Sequence, residues 1–322
     1  MISYLGLDDP NLVRKDRVLA VGAFDGVHRG HQRLLRHVCR IAADYGVESA
    51  IMTFEPIPAQ VLRPGGARNI RLTIAEERRR ELDRHCVSTA VVVPFDDAFR
   101  NLSAFDFARR ILVERLGVVA LVASSTHTFG RHAEADVRRI AELGMELGFE
   151  VHVLPPILVD GERINSTQIR RMLWEGNVEE AARWLGRPYD VAGVVVRGRG
   201  IGKQLGFPTA NLQPAPEKLV PADGVYACAA RIEAPGQPDS QWVPAAVSIG
   251  NTPTIAAGPR LIEAHLLTDE PPSLEGTCVR LLFLRRLREQ RKFPGRDQLA
   301  AQIARDVQAT RDVFAESGSV SI

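Results

Sequence analysis

The feature that most constrains the fold is a buried apolar run that turns through glycines into a helical pattern. Residues 18–23 read Val-Leu-Ala-Val-Gly-Ala, and apolar residues recur with helical spacing over residues 34–42. Between them lies Phe-Asp-Gly-Val-His-Arg-Gly-His. The start of such a helix has unpaired backbone N–H groups and favours negative charge. The pattern predicts a phosphate site in which His28 and His31 stabilise charge as a bond to phosphorus breaks. A surface or capping role for these histidines is the open alternative.

A second segment offers hydroxyl groups at another helix start. Ser166 and Thr167 precede a helical pattern, and Arg170 follows one turn later. Ser166 alone is typical of an N-cap. Together with the histidine motif, the hydroxyls and the guanidinium are what a leaving pyrophosphate needs.

Strand and helix patterns alternate through the first half of the chain. The 322 residues are enough for two domains, which we place at residues 1–186 and 187–322. Five strands are predicted in the first domain, at residues 19–23, 49–54, 89–94, 118–123 and 150–154. Alternation with helices predicts an α/β domain with a doubly wound parallel sheet, in which ligands bind at the carboxyl ends of the strands.

The pattern changes after residue 187 to short β-branched runs separated by Gly and Pro. They lie at residues 194–196, 225–230, 243–249, 262–267 and 279–284. Many short strands at close spacing predict a small antiparallel β-barrel. A closing helix is predicted over residues 296–316, with its apolar stripe at Leu299, Ile303, Val307 and Val313.

Composition and cysteine spacing argue against several classes of partner and site. The net charge of +2 gives no argument for a nucleic-acid or membrane partner. The four cysteines contain no C-x-x-C pair, so we expect neither a zinc site nor a disulfide: Cys39, Cys86, Cys228 and Cys278. No apolar run is long enough for a membrane span, and residues 1–9 do not resemble a signal peptide. We therefore expect a reduced cytoplasmic protein.

The motifs, taken in order, resemble the bacterial bifunctional riboflavin kinase/FMN adenylyltransferase family. The front half matches it with FDGVHRGH at 24–31, TFEP at 53–56, FDDAF at 95–99 and NSTQIR at 165–170. The back half matches it with GKQLGFPTANL at 202–212, GVY at 224–226, SIGNTPT at 248–254, IEAHLL at 262–267 and LREQRKF at 287–293. The resemblance spans essentially the whole chain.

For the front half, the resemblance implies adenylylation of FMN by ATP with release of pyrophosphate. His28 and His31 would hold the triphosphate, and Ser166, Thr167 and Arg170 would bind its outgoing β- and γ-phosphates. Further nucleotide contacts are expected from Gly22, Phe24, Asp25 and Gly30, and flavin contacts from Thr126 and Phe129.

For the back half, the resemblance implies phosphorylation of riboflavin by ATP and Mg²⁺. A glycine-rich loop would cover the ATP phosphates, although the spacing alone fits a flexible turn equally well. The loop and its flank supply the predicted nucleotide contacts Gly198, Gly202, Lys203, Gly206, Pro208, Thr209 and Asn211. Thr209 and Asn211 are also the predicted Mg²⁺ ligands, with a turn held by their side chains as the alternative.

The same resemblance makes Glu263 the catalytic base of the kinase. Alternation in its strand leaves two placements open: the inner face of the barrel, where an unpartnered carboxylate would be costly, or an ordinary surface position. His265 is expected to pack beside it. Arg288 and Phe293 are the predicted flavin contacts of this half.

Several front-half positions depart from the family pattern. Ile57 stands where a histidine is usual, and the loop after the fourth predicted strand differs at Ser124, Thr126, His127, His132 and Ala135. These changes affect ligand preference more than phosphate chemistry. Two alternatives therefore stay open beside the two-step enzyme: a front domain with another nucleotide or flavin preference, and one that only binds a ligand. The expected partners are riboflavin, FMN and ATP, and a homo-oligomer stays open.

Overall fold

The computed structural model describes residues 1–62, 70–198, 202, 206–233, 241–250, 261–268 and 274–318. The chain divides into two compact units, Met1–Ser166 and Thr167–Ile322. The predicted boundary after residue 186 stays a prediction. It assigns residues 167–185 to the first domain, whereas their contacts group them with the second unit. The backbone explains this grouping, because the carbonyl of Leu173 accepts from Ala222 N.

The first unit is built on a six-stranded, all-parallel sheet. Its strands are β1 (Ile2–Leu5), β2 (Arg17–Val21), β3 (Glu48–Phe54), β4 (Thr89–Val93), β5 (Val118–Ser124) and β6 (Glu150–Leu154). Their order is β1-β4-β3-β2-β5-β6. The predicted parallel sheet is confirmed, but β1 was not predicted. It is a short edge strand whose Ile2 and Leu5 are 60% and 78% exposed, so no apolar run marks it.

Helices cover both faces of this sheet, since alternate residues of β2 belong to two different core clusters. The helices are α1 (Arg29–Tyr45), α2 (Pro58–Val61), α3 (Ala75–Asp83), α4 (Asp97–Arg100), α5 (Ala104–Asp106) and α6 (Val137–Leu147). A π-helical segment, Phe107–Arg115, follows α5, and a short antiparallel pair, β7 (Leu158–Val159) and β8 (Glu162–Arg163), follows β6. The helical pattern over residues 34–42 is confirmed as α1.

The cysteines of the first unit correct one expectation. Cys39 of α1 and Cys86, which precedes β4, form a disulfide with their Cα atoms 6.1 Å apart. The prediction that all four cysteines are reduced is therefore wrong for this pair. The two are 47 residues apart, and only the packing of α1 on the sheet brings them together. Cys228 and Cys278 are free.

The second unit contains a closed antiparallel barrel of six strands. They are β9 (Tyr189–Val196), β10 (Ala210–Pro214), β11 (Gly224–Glu233), β12 (Val243–Gly250), β13 (Leu261–Leu266) and β14 (Cys278–Arg288). Around the barrel they follow the order β10-β13-β12-β11-β14-β9, and β9 closes against β10. The helices are α7 (Ser166–Trp174), α8 (Val178–Leu185) and α9 (Arg296–Glu316). The predicted barrel and closing helix are confirmed.

The buried side of α9 differs from the predicted apolar stripe. Its buried residues are Gln302, Asp306, Thr310 and Val313. The reason is an ion pair, since Arg288 at the end of β14 donates to Asp306 at 2.7 and 3.0 Å. In this arrangement a polar side of the helix faces inward. The sequence therefore predicted the helix correctly, but only Val313 of its four buried residues.

Candidate functional site

The turn after β2 carries the histidine motif in a constrained backbone. Phe24 and Val27 have φ of 49° and 41°, and both side chains are fully buried. Non-glycine residues with positive φ persist only where the surroundings hold them. Here Asp25 does so: its carboxylate accepts from the backbone N–H groups of Leu72 and Thr73 at 3.2 and 3.0 Å. The predicted nucleotide residue Asp25 thus fixes the turn from within.

His28 is the N-cap of α1, and His31 lies in its first turn. His28 Nδ1 accepts from His31 N at 3.3 Å, so its neutral ring carries its proton on Nε2, which is a donor. The two rings stack with centroids 3.6 Å apart. Burial, followed by the charges of His28 and His127, holds the pKa of His31 well below its usual value. The helix start therefore presents two stacked imidazoles, of which His31 is neutral at pH 7.

A cavity of about 240 Å³, which we call the histidine cavity, opens at these rings. Its lining includes His28, Gly30, His31, Arg33, Leu34, Ser124, Leu154, Pro155, Pro156, Ile157, Arg163, Ile164, Asn165 and Ser166. The hydroxyl of Ser166 donates to the carbonyl of Asp25 at 3.0 Å. The structure therefore brings the two predicted motifs together at one cavity. Helix starts and arginines on such a cavity suit an anion.

Arg33 and Arg163 are cavity residues that sequence reasoning missed. Arg163 lies in β8 and donates to Thr126 Oγ1. Helical periodicity on α1 shows that Arg33 follows the motif, but nothing local indicates that Arg163 reaches a cavity formed by α1. Thr167 and Arg170 belong to the second unit, where Arg170 is buried in α7.

A second cavity of about 690 Å³, the aromatic cavity, lies at the carboxyl ends of the central strands. Its lining includes Val21, Gly22, Ala23, Phe54, Pro58, Phe95, Phe99, Phe107, His127, Thr128, Phe129, Gly130, His132 and Ala133. Phe129 stacks on His127 with ring centroids 4.8 Å apart. The predicted flavin residue Phe129 is thus in this wall, whereas Thr126 is held by Arg163 beside the histidine cavity. An aromatic cavity of this size suits a planar ring system.

The departures from the family pattern have visible consequences in this wall. His132 and Ala133 both have positive φ, 53° and 56°. The absence of the expected glycine at position 132 therefore places a left-handed backbone on a histidine. Ala135 is buried and exchanges backbone hydrogen bonds with Phe129. Ile57, 1% exposed, takes an apolar position at the start of α2.

An arginine of α3 binds backbone groups that line the aromatic cavity. The sequence analysis did not predict this role. Arg78 donates to the carbonyls of Ala23 and Phe54 at 3.0 and 2.9 Å, and to Glu55 at 3.0 Å. Arg71 makes a bidentate pair with the same carboxylate. Burial, with the charge of Arg71, lowers the pKa of Arg78 to about 10. Arg78 stays charged at pH 7 and fixes the ends of β2 and β3.

In the second unit the predicted kinase residues meet on the outer side of the barrel. Glu263 pairs in register with Asn211 on one side and Ser248 on the other. Its neighbours Ile262 and Ala264 point into the apolar interior. The inner-face placement of Glu263 is therefore wrong, because strand alternation turns it outward. The carboxylate is nevertheless half-buried, beside the amide of the buried Asn211.

Two predicted loop glycines pack against the predicted metal residues. A Cβ on Gly198 would overlap the side-chain amide of Asn211, and one on Gly202 would lie 3.1 Å from the hydroxyl of Thr209. Thr209, Pro208 and Gly206 are exposed. Lys203 lies outside the described residues. The loop ends thus leave room for the two side chains, as a ligand cradle requires.

Further contacts support this surface. His265 Nδ1 lies 2.7 Å from the carbonyl of Pro208, so its ring is a donor that holds the segment before Thr209. Gln290 donates to Ser248 Oγ at 2.7 Å. The segment that contains Arg288 and Phe293 therefore reaches a residue next to Glu263. Arg288 itself is paired with Asp306 and lies 5.8 Å from the ring of Phe293.

Comparisons with known proteins agree across the whole chain. The FAD synthetase family model matches residues 11–168, and the riboflavin kinase model matches residues 185–314. The Escherichia coli K12 bifunctional riboflavin kinase/FMN adenylyltransferase is 35% identical over 297 residues, which cover 92% of each chain. The Pseudomonas fluorescens protein of the same description is 36% identical over 301 residues, 93% of this chain and 94% of its own.

A solved structure shares the fold of nearly all of the chain. It is described as a macrolide-efflux protein from Streptococcus pneumoniae and has a TM-score of 0.84 and 29% identity, covering 97% of this chain and 99% of that one. Within the described part of the protein studied here, none of the helices has the length and apolar content needed to cross a bilayer.

Proposed function

Since this chain belongs to the bifunctional riboflavin kinase/FMN adenylyltransferase family, we propose which of its residues carry each of the two reactions. The chain phosphorylates riboflavin to FMN and adenylylates FMN to FAD, with ATP as the second substrate of both steps. The observation that carries this function is that two family models, one for each activity, match the two halves of one chain. No relative reported above favours a front domain with another activity.

For adenylylation, the histidine cavity holds the triphosphate of ATP. The FMN phosphate attacks the α-phosphorus, the bond to the β-phosphate oxygen breaks, and pyrophosphate leaves. The Nε2–H of His28 and the start of α1 stabilise the added charge, with His31 stacked against His28. Arg33 and Arg163 neutralise the outgoing phosphates, together with the hydroxyl of Ser166. Thr167 and Arg170, which belong to the second unit, stay predicted phosphate contacts.

The flavin ring of FMN lies in the aromatic cavity. The phenyl rings of Phe54, Phe95, Phe99, Phe107 and Phe129 provide its apolar walls. Gly22 and Ala23 line this cavity from the strand that leads into the histidine motif. A flavin placed there has its phosphate chain directed along the turn between the two cavities, as in-line attack requires.

For phosphorylation, Glu263 takes the proton of the riboflavin 5′-hydroxyl while that oxygen attacks the γ-phosphorus of ATP. Thr209 and Asn211 would hold Mg²⁺ with the nucleotide phosphates, because their neutral oxygens and the room left by Gly198 and Gly202 fit such an ion. When bound, Mg²⁺ supplies charge neutralisation at the transferred phosphoryl group. Gly206, Pro208 and Lys203 are the remaining proposed nucleotide contacts, and Arg288 and Phe293 the flavin contacts.

The test is to give the purified full chain riboflavin, Mg²⁺ and one of ATP, CTP or GTP, and to separate the flavin products. FMN followed by FAD, formed from ATP, is the expected result. FMN with a different dinucleotide, or FMN alone, would overturn the proposed front site. Absence of any phosphorylated flavin would overturn the kinase site. A parallel reaction started from FMN shows the second step independently of the first.

A further inference from the structure

The loop after β5 connects the two front cavities, and its residues pass from one to the other in chain order. Ser124 lines the histidine cavity, and Thr126 is held by Arg163 beside it. The next residues, His127 to Gly130, line the aromatic cavity. His127 is therefore the first residue of this loop in the aromatic wall and the one nearest along the chain to the phosphate chemistry.

The side chain of His127 packs on one aromatic neighbour and acts electrostatically on a histidine of the other cavity. Its ring stacks on Phe129 at 4.8 Å with 25° between the planes. Its charge, when present, acts on His31 of the histidine cavity. The imidazole thus adds a flat surface to the aromatic wall, and the chain leads back from it through Thr126 to Ser124 of the histidine cavity.

A neutral imidazole has a capacity that a phenyl ring at the same place lacks. Burial lowers the pKa of His127 to about 4, so the ring is neutral at pH 7 and offers one N–H donor and one nitrogen acceptor. Among the hydrogen bonds between described residues, none engages these nitrogens. A ligand in the aromatic cavity can therefore use these nitrogens as hydrogen-bond partners.

We propose that His127 is a specificity-determining residue of the adenylylation site, whose imidazole donates a hydrogen bond to the phosphorylated ribityl chain of FMN. The proposal rests on the proposed placement of FMN across the two cavities. It separates two parts of acceptor binding: the flavin ring stacks on the aromatic wall, and the chain is recognised by the imidazole. A phenyl ring in this position would preserve the first part and remove the second.

The test compares His127→Phe with wild type in the reaction that starts from FMN and ATP and yields FAD, which does not need the kinase. The KM for FMN is measured together with the inhibition constant of lumiflavin, which has the ring but no ribityl chain. We expect the KM for FMN to rise about 10- to 100-fold, as the loss of one hydrogen bond to a charged group implies. The inhibition constant of lumiflavin stays within about twofold, since stacking persists.

Two further variants complete the test. His127→Gln keeps a side-chain N–H and partly restores the KM for FMN. His85→Phe, at the end of α3, makes the same chemical change away from both cavities and leaves both constants at wild-type values. Thermal unfolding shows that each variant is folded.

An unchanged KM for FMN in His127→Phe would overturn the proposal, and so would an equal weakening of FMN and lumiflavin, because the histidine would then act only as part of the ring stack. Failure of the wild type to make FAD from FMN would instead overturn the proposed function. The two failures are therefore distinguishable in one set of assays.

Discussion

Three acceptors converge on the guanidinium of Arg78: the carbonyls of Ala23 and Phe54 and the carboxylate of Glu55. Arg78→Met removes one donor from each of these groups, two of them at the wall of the aromatic cavity. Arg71 still pairs with Glu55, and Thr53 still donates to Ala23. We expect the free energy of unfolding of the first unit to fall by about 2–4 kcal/mol. Urea denaturation at pH 7 measures this loss.

The neighbouring arginine provides the matched control. Arg79 is exposed and pairs only with Asp83, four residues along α3, among the contacts of the described chain. Arg79→Met is expected to change the unfolding free energy by less than about 0.5 kcal/mol. Equal losses in the two variants would contradict the role assigned to Arg78.

Two half-buried histidines make the first unit sensitive to acid. Burial lowers the pKa of His127 to about 4 from its ordinary 6.5, so between these values the unfolded chain binds a proton that the folded chain does not. Stability is therefore full above pH 6.5 and falls as the pH drops toward 4. From pH 7 to pH 5 this histidine accounts for a loss of about 2 kcal/mol. The lowered pKa of His31 acts in the same direction.

Urea denaturation of wild type and His127→Phe at pH 7, 6 and 5 measures this effect. The variant is expected to lose about 2 kcal/mol less than wild type over that interval. The same loss in both proteins would show that the His127 ring is not held neutral by the fold.

At the scale of residues, the sequence motifs predicted the side chains closest to the proposed phosphate chemistry. They did not predict the residues that hold those side chains in position. His28 and His31 lie together because a strand–turn–helix unit is a local structure, whereas Ser166 reaches their cavity from 141 residues beyond Asp25 through packing. Arg163 and Arg78 come from distant segments, and nothing in their own surroundings in the sequence differs from an exposed helix or strand arginine. Such partners are determined by packing, which the local pattern does not contain.

The middle of helix α1 is joined covalently to another segment of the first unit. Two turns after His31, Cys39 is bonded to Cys86 at the start of the segment that leads into β4. Closing a loop of 47 residues lowers the conformational entropy of the unfolded chain. In the chain-entropy model this raises the free energy of unfolding by about 4 kcal/mol. We expect a reductant to lower the unfolding free energy of the first unit by up to this amount, measured by urea denaturation.

The double variant with Cys39→Ser and Cys86→Ser is the control for that experiment. It should show the lower stability without reductant and no further loss when reductant is added. A wild-type curve that reductant leaves unchanged, with thiol titration showing four free cysteines, would contradict the disulfide.

At the scale of elements, helices and strands were predicted correctly where apolar residues recur at a regular spacing along the sequence. The β13 strand was predicted from its apolar alternation, yet that alternation left open which face Glu263 takes, because a closed barrel has a partly covered outer side. The same limit applies to α9. Its apolar stripe predicted a helix, but the Arg288–Asp306 pair selects a different face for contact.

At the scale of the whole molecule, the change of pattern near residue 187 was the strongest sign of two different architectures. The proposed site of the first unit lies at the carboxyl ends of parallel strands, as in open α/β sheets. The proposed site of the second unit lies on the outside of a barrel whose interior is filled by apolar side chains. Because each unit has its own core and its own proposed site, we expect single substitutions to separate the two activities.

This separability gives the last prediction. Glu263→Gln removes the proposed base of the kinase, and we expect the rate of FMN formation from riboflavin to fall about 10²- to 10⁴-fold while FAD formation from added FMN stays unchanged. His31→Gln removes one of the stacked imidazoles, and FAD formation falls about 10²- to 10³-fold while FMN accumulates from riboflavin at the wild-type rate.

Each variant is the other's control, because the retained activity shows that the protein is folded. Product chromatography from the two starting flavins measures both steps on the same preparation. Loss of both activities in Glu263→Gln would contradict the assignment of one reaction to each unit. So would His31→Gln if it slowed the kinase step as much as it slowed FAD formation. In a mixture of the two variants, FMN made by His31→Gln is converted to FAD by Glu263→Gln through free solution, so riboflavin again yields FAD.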